Sequence, residues 1–160
     1  MKTASAILIL LVAANVSRAD DKTIPWPKKN DSPRVSVDQK GNLVVEGDTL
    51  KSTTTLLTLE NPKVPSHLYR LVGKIKYEKV EGDAYLMMWS HFAKGGGPFF
   101  SKTLDSDGKG QIAGSSDWDE LTLPFYSKPD MLPNKLVVKI VMSGKGKVWI
   151  TPLKLEKIEQ

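Results

Sequence analysis

The chain has 160 residues, with 23 basic and 18 acidic side chains, 40% hydrophobic residues and no cysteine. This length suits one domain with one core, and the missing cysteine excludes disulfides, thiol nucleophiles and cysteine-based metal sites. The basic excess is small and spread along the chain, whereas nucleic-acid binding usually needs a clustered basic face. We therefore predict no nucleic-acid partner.

The first 19 residues have the three parts of a secretory signal. Lys2 gives a positive start, residues 6–14 form an uninterrupted apolar run, and Ser17 and Ala19 are small residues before a cleavage point. The run is too short to span a bilayer. We predict a signal peptide at 1–19, an exported protein that is periplasmic or secreted, and no transmembrane segment in the mature chain. Loss of Lys2 and Arg18 leaves 21 basic and 18 acidic residues, a net charge of +3.

Residues 20–34 are predicted to form a proline-rich arm ahead of the domain at 35–160. Pro25, Pro27 and Pro33 cannot donate to a β-ladder or lie inside a helix. Trp26 stands between two of these prolines, and we expect its ring to dock on the protein's own domain.

From Val35 onward, apolar residues recur with a period of two, and no long segment has a helical stripe. Turn residues every 8–12 positions are typical of a sandwich or barrel. Gly82-Asp83 is expected to turn the chain, and Pro152 to mark a bulge or an edge. Trp118 and Trp149 are expected in the core. The predicted strands are a hairpin at 35–45, then 55–59, 69–77, 85–92, 99–104, 118–125, 136–142 and 148–158.

The strand at 85–92 carries the candidate ligand site. Alternation gives it two faces, one with Tyr85, Met87, Trp89 and His91 and the other with Leu86, Met88, Ser90 and Phe92. If the second set is core, the first is an outward aromatic platform on which a sugar could stack. The alternative is a central strand buried on both faces. The predicted ligand-binding residues are Tyr85, Trp89, His91 and Lys94.

The sequence contains little that points to catalysis. Ser115-Ser116 lies outside any nucleophile elbow, and no motif places His67 or His91 beside it. The acids around residues 117–120 are candidates for glycoside hydrolysis by type only. We predict that the protein is not an enzyme, with a small hydrolase as an unsupported alternative.

Asp105 and Asp107 are weak metal-ligand candidates, because Asp105-x-Asp107-Gly108 resembles the opening of a calcium loop. The twelfth position of that loop is Ser116, where glutamate would be needed. An Asp-Gly pair is also expected in a β-turn. We predict a turn without an obligatory metal or cofactor, and a structural calcium is the alternative.

Six segments in order resemble the galactose-binding-domain-like jelly rolls of bacterial exported proteins, a group that includes carbohydrate-binding modules. The resemblance covers about residues 43–158 and implies a single all-β jelly-roll sandwich of about eight antiparallel strands. It transfers no ligand-binding residue by position. The segments are YRLVGKIKY (69–77), GDAYLMMW (82–89), FFS (99–101), GSSDW (114–118), LPF (123–125) and GKGKVW (144–149).

Two functions remain open on the sequence. The first is a non-catalytic module that recognises a glycan through the aromatic strand face. The second is a protein–protein or cell-envelope assembly module with no small ligand, in which the arm around Trp26 could contact an envelope protein.

Overall fold

A computed structural model describes residues 23–94, 96–103 and 110–159, and all regular structure in this part of the chain is β-strand. The predicted all-β class is confirmed, with ten strands among these residues where about eight were expected. The predicted signal peptide at 1–19 and the Asp105–Asp107 turn lie outside the described residues. The strands are β1 (Thr23–Ile24), β2 (Val35–Val37), β3 (Leu43–Gly47), β4 (Ser52–Glu60), β5 (Leu68–His91), β6 (Phe99–Lys102), β7 (Ile112–Tyr126), β8 (Lys135–Met142), β9 (Gly146–Ile150) and β10 (Leu153–Lys157).

One antiparallel sheet curls into the two layers of a sandwich. In the first layer, the strands lie in the order β2, β3, β9, the first half of β5, and β7. Strand β10 pairs with β5 on the same side as β9, next to the end of β9. The second layer has the order β4, β8, second half of β5, β6. Within residues 23–94, 96–103 and 110–159, no helix is long and apolar enough to cross a membrane.

The 24-residue strand β5 belongs to both layers. The predicted turn at Gly82-Asp83 is wrong, because the strand passes through this point while β7 stays paired on both sides of it, at Val80 and at Ala84. Lys79 and Gly82 have positive φ angles of 50° and 66°. Such angles are typical of a β-bulge, which bends a strand without ending it. The bend therefore carries β5 from one layer to the other.

The core lies between the layers and is made by alternate residues of each strand, as a period of two requires. Both halves of β5 contribute to it, Tyr69 and Leu71 from the first layer and Leu86 and Met88 from the second, and all four are fully buried. Residues of the other strands complete one continuous cluster, among them Leu43, Leu123, Leu136, Ile140, Val148 and Ile150.

The proline-rich arm packs on the sandwich. Thr23 and Ile24 pair with β10, and the Trp26 side chain is only 5% exposed. Its indole Nε1 donates a hydrogen bond of 3.0 Å to the carbonyl oxygen of Ile150. The prediction that Trp26 docks on its own domain is confirmed.

The predicted single strand at 148–158 is wrong, because the chain leaves the ladder at Thr151-Pro152 and forms two strands, β9 and β10, where a bulge or an edge was expected. Proline has no N–H for the ladder, and Thr151 contacts Lys74 instead. The Thr151 amide donates to the Lys74 carbonyl oxygen at 3.0 Å, and the Lys74 amide donates to Thr151 Oγ1 at 2.9 Å. A Cβ on the adjacent Gly73 would stand 2.8 Å from Leu153 Cδ2, so a larger residue beside this break would require the Leu153 side chain to shift.

Candidate functional site

The second half of β5 divides its side chains between the core and the surface. Leu86, Met88 and Ser90 are fully buried, whereas Tyr85, Met87, Trp89 and His91 are half-buried. The second set therefore lies on the outer face of the second layer. The predicted orientation of this strand is confirmed, and burial on both faces is ruled out. Whether this face binds a ligand stays a prediction.

The neighbouring strand β6 adds a second ring beside Trp89. Phe100 is the register partner of Trp89, and the two ring centroids are 4.9 Å apart with the planes tilted by 38°. Phe100 is 53% exposed. Sequence reasoning missed Phe100, although β6 carries two adjacent aromatic residues and alternation sends one of them outward.

Two lysines flank these rings from the strands on either side of β5. Lys102 on β6 and Lys139 on β8 are both register partners of Met87. The ammonium of Lys139 is 5.8 Å from the centroid of the Trp89 ring, and that of Lys102 is 5.9 Å from the Tyr85 ring. These distances are in the range of cation–π attraction. We call this surface the aromatic face, and its residues are Tyr85, Met87, Trp89, His91, Phe100, Lys102 and Lys139.

The polar group of Trp89 has a weak partner. The indole Nε1 donates to the thioether sulfur of Met87 at 2.9 Å, and a thioether is a poor acceptor. A hydroxyl oxygen brought to this position would accept a stronger bond. The fourth predicted residue, Lys94, is exposed in the loop after β5, outside the strands that build the face.

The structure corrects the predicted positions of Trp118 and Trp149, which lie at the surface of the first layer. On β9, Val148 and Ile150 are fully buried, so the side chain of Trp149 between them points outward. On β7, Leu121 points inward and is buried. Because side chains alternate along a strand, Trp118 points outward, and Trp118 is 39% exposed. The predicted alternation of side chains along these strands is therefore confirmed, but the prediction of which set of side chains points into the core is wrong.

These two tryptophans line a groove of about 760 Å³ on the outside of the first layer. Lys74 and Lys76 of β5 lie in the groove with them, and the β2–β3 turn supplies Asp38 and Asn42. Sequence reasoning missed this groove, because it assigned both rings to the core.

The acids and serines weighed for catalysis interact with nearby backbone. Oδ1 of Asp117 and Oδ1 of Asp119 each accept a bond of 2.8 Å from the next amide of the chain. Ser115 Oγ accepts a bond of 2.9 Å from the Lys79 amide. Among the residues that the structure describes, no group of three or more histidine or acidic side chains is placed to hold a metal ion.

No family model matches the chain, and no curated protein matches it either. Two solved structures have the same fold. The first, a family 16 carbohydrate-binding module, is 11% identical with a TM-score of 0.53, and the match covers 82% of this chain and 90% of that one. The second, TmCBM61 in complex with β-1,4-galactotriose, is 12% identical with a TM-score of 0.51, and the match covers 86% and 92%. The chain thus has a β-sandwich of the carbohydrate-binding-module type, and the resemblance seen in the sequence is confirmed for the fold.

Proposed function

We propose that the protein is an exported, non-catalytic binding module that recognises carbohydrate through the aromatic face. The observation that carries this proposal is the pair of Trp89 and Phe100, held side by side on an open strand face. The part of this apolar pair that faces solvent forgoes the free energy that burial would give, about 25 cal/mol per Å² of apolar surface. A ligand that covers the rings recovers this free energy, so such a patch is typical of a binding site.

A sugar ring fits this patch chemically. Its C–H face is apolar and flat enough to stack on an indole or a phenyl ring, and its edge carries hydroxyls. Lys102 and Lys139 are held beside the rings and can donate to those hydroxyls, and the Trp89 N–H can exchange its thioether partner for a hydroxyl oxygen. His91 at the end of the strand and Lys94 in the loop beyond it would extend the site.

The similar structures suggest which ligand to test first. Both are named as carbohydrate-binding modules, and one holds a β-1,4-linked galactose trisaccharide. We therefore propose β-1,4-linked neutral oligosaccharides as the starting ligand class.

The test is a glycan array probed with the secreted protein and two variants. Trp89→Ala removes the larger ring of the pair. Tyr126→Ala is the matched control, because Tyr126 is a 68% exposed aromatic residue outside the aromatic face. Far-ultraviolet circular dichroism and melting curves check that each variant is folded.

We expect the wild type and Tyr126→Ala to bind the same glycans, and folded Trp89→Ala to lose them. Equal binding by folded Trp89→Ala would contradict the proposed site. If the wild type binds no glycan but pulls down an envelope protein, the assembly-module alternative replaces this proposal.

A further inference from the structure

The groove on the first layer is built across three adjacent strands. Lys76 lies at its centre on β5 and is the register partner of Trp149 on β9. Trp118 lies on β7, which pairs with β5 on the opposite side. A bound chain that runs across the strands would therefore meet an indole, an ammonium and a second indole in turn.

Two lysine ammonium groups lie within cation–π distance of the Trp149 ring. The ammonium of Lys76 is 5.3 Å from the ring centroid, and that of Lys147 is 5.4 Å from it. Each of these lysines also has an acidic neighbour on the same layer, Lys76 with Glu78 at 3.4 Å and Lys147 with Glu46 at 3.0 Å. These contacts place charged groups around the indole, and each of the two ammonium groups already has an acidic partner.

The charge left for a ligand comes from other lysines. Lys40 and Lys74 line the groove, and within the described ranges neither ammonium has an ion-pair partner. Asp38, the acid at this end, accepts bonds from the Asn42 side chain at 3.0 Å and from the amides of Lys40 and Asn42 at 2.8 and 2.9 Å. These neutral donors leave the carboxylate charged, and it attracts the Lys40 ammonium. The groove thus offers the Lys74 ammonium, which has no ion-pair partner in the described chain, next to two aromatic rings.

We infer that this groove is a second binding site, which takes an acidic, carboxylate-bearing polysaccharide. The indoles of Trp118 and Trp149 would stack on its sugar rings, and Lys40 and Lys74 would pair with its carboxylates. This inference depends on the proposed function only in taking the ligand to be a saccharide, because the site lies on the opposite outer face and shares no residue with the aromatic face. The two faces together would let one molecule hold a neutral and an acidic chain.

A single-stranded nucleic acid also combines negative charge with flat rings, but the groove suits it less. Such a strand is bound by a groove of uniformly positive charge, and it has fewer hydroxyls per residue than a polysaccharide. Here Asp38 lines one end of the groove, and Glu120 lines the depression of about 520 Å³ that continues it along Lys74. These carboxylates repel any anionic chain, but a polysaccharide also brings hydroxyls that donate hydrogen bonds to them, and this favours the saccharide.

The experiment measures the affinity for an oligogalacturonate and for a neutral β-1,4-galacto-oligosaccharide of the same length, at low and high salt. The groove variants are Lys74→Gln, which removes a charge that has no ion-pair partner in the described chain, and Trp118→Ala, which removes a partly exposed ring. Phe100→Ala on the aromatic face is the matched control. A single-stranded oligothymidylate is the third ligand.

We expect each groove variant to bind the oligogalacturonate about tenfold more weakly, and Phe100→Ala to bind it as the wild type does. Salt should weaken the wild-type complex. The inference is overturned if the groove variants bind the oligogalacturonate normally, if salt has no effect, or if the oligothymidylate binds more tightly. The proposed function is tested separately, because its failure would show as normal binding of the neutral glycan by Phe100→Ala.

Discussion

Tyr69 and Ser90 join the two layers of the sandwich inside its core. They lie on opposite halves of β5, and both are fully buried. The Tyr69 hydroxyl donates to Ser90 Oγ at 2.7 Å, while the Tyr69 ring stacks on Phe125 with centroids 5.5 Å apart. This hydrogen bond gives both buried hydroxyls a partner, and we expect its removal to have a measurable effect on stability.

Tyr69→Phe keeps the ring and removes only the hydroxyl, which leaves the Ser90 hydroxyl buried without a partner. The expected loss in unfolding free energy is about 1–3 kcal/mol. Ser90→Ala leaves the Tyr69 hydroxyl without a partner and should lower the unfolding free energy by a similar amount. The double variant removes both polar groups, so its loss should be smaller than the sum of the single losses. Urea denaturation at pH 7 measures all three.

The same pair predicts a dependence of stability on alkaline pH. Burial, partly offset by the hydrogen bond with Ser90, raises the pKa of Tyr69 from 10.0 to about 12. The unfolded chain therefore releases this proton at a lower pH than the folded chain does. The stabilisation is complete below pH 10 and is lost as the pH rises towards 12, by about 2.7 kcal/mol for two pKa units.

Tyr69→Phe should lack this part of the loss of stability at alkaline pH. The urea midpoints of the wild type and Tyr69→Phe are compared from pH 9 to 11. The other tyrosines are present in both proteins, so their contributions cancel in the difference. Parallel pH profiles for the two proteins, or additive losses in the Tyr69/Ser90 double variant, would refute this account of the pair.

Two further predictions concern the N-terminal part of the chain. Trp26→Ala removes a buried ring and its bond to Ile150, so it should lower the unfolding free energy by about 3–5 kcal/mol; an unchanged denaturant midpoint would show that the arm contributes nothing to stability. We also expect mass spectrometry of the exported protein to find Asp20 as the first residue, and an intact Met1 on that material would contradict the predicted signal peptide.

The fold class could be predicted from the sequence, because the period of two depends only on local residue order. The inward phase of a strand was harder to predict. In Lys147-Val148-Trp149-Ile150, one phase buries Val148 and Ile150, and the other buries the large Trp149 together with Lys147. The observed choice also depends on what the opposite layer provides. Val148 and Ile150 fill the space between the layers, so Trp149 is left for the surface.

Long-range pairing decided the other features that the sequence did not reveal. Gly82-Asp83 has the composition of a turn, yet the pairing of β7 with both sides of this point keeps β5 continuous. Phe100 is part of the aromatic face because the register between β5 and β6 places it opposite Trp89. Neither of these pairings can be predicted from neighbouring residues. The division of residues 85–91 into two faces depends only on neighbouring residues, and it was predicted correctly.

The most direct measurement of the central claim is calorimetric titration of Phe100→Ala with the neutral glycan that the wild type binds best on the array. Phe100 is about half exposed on a short edge strand, so the variant should fold normally. If the aromatic face is the binding site, the affinity should fall about tenfold, equivalent to about 1.4 kcal/mol, with an unchanged melting temperature. An unchanged affinity in the folded variant would contradict the claim that this face binds carbohydrate.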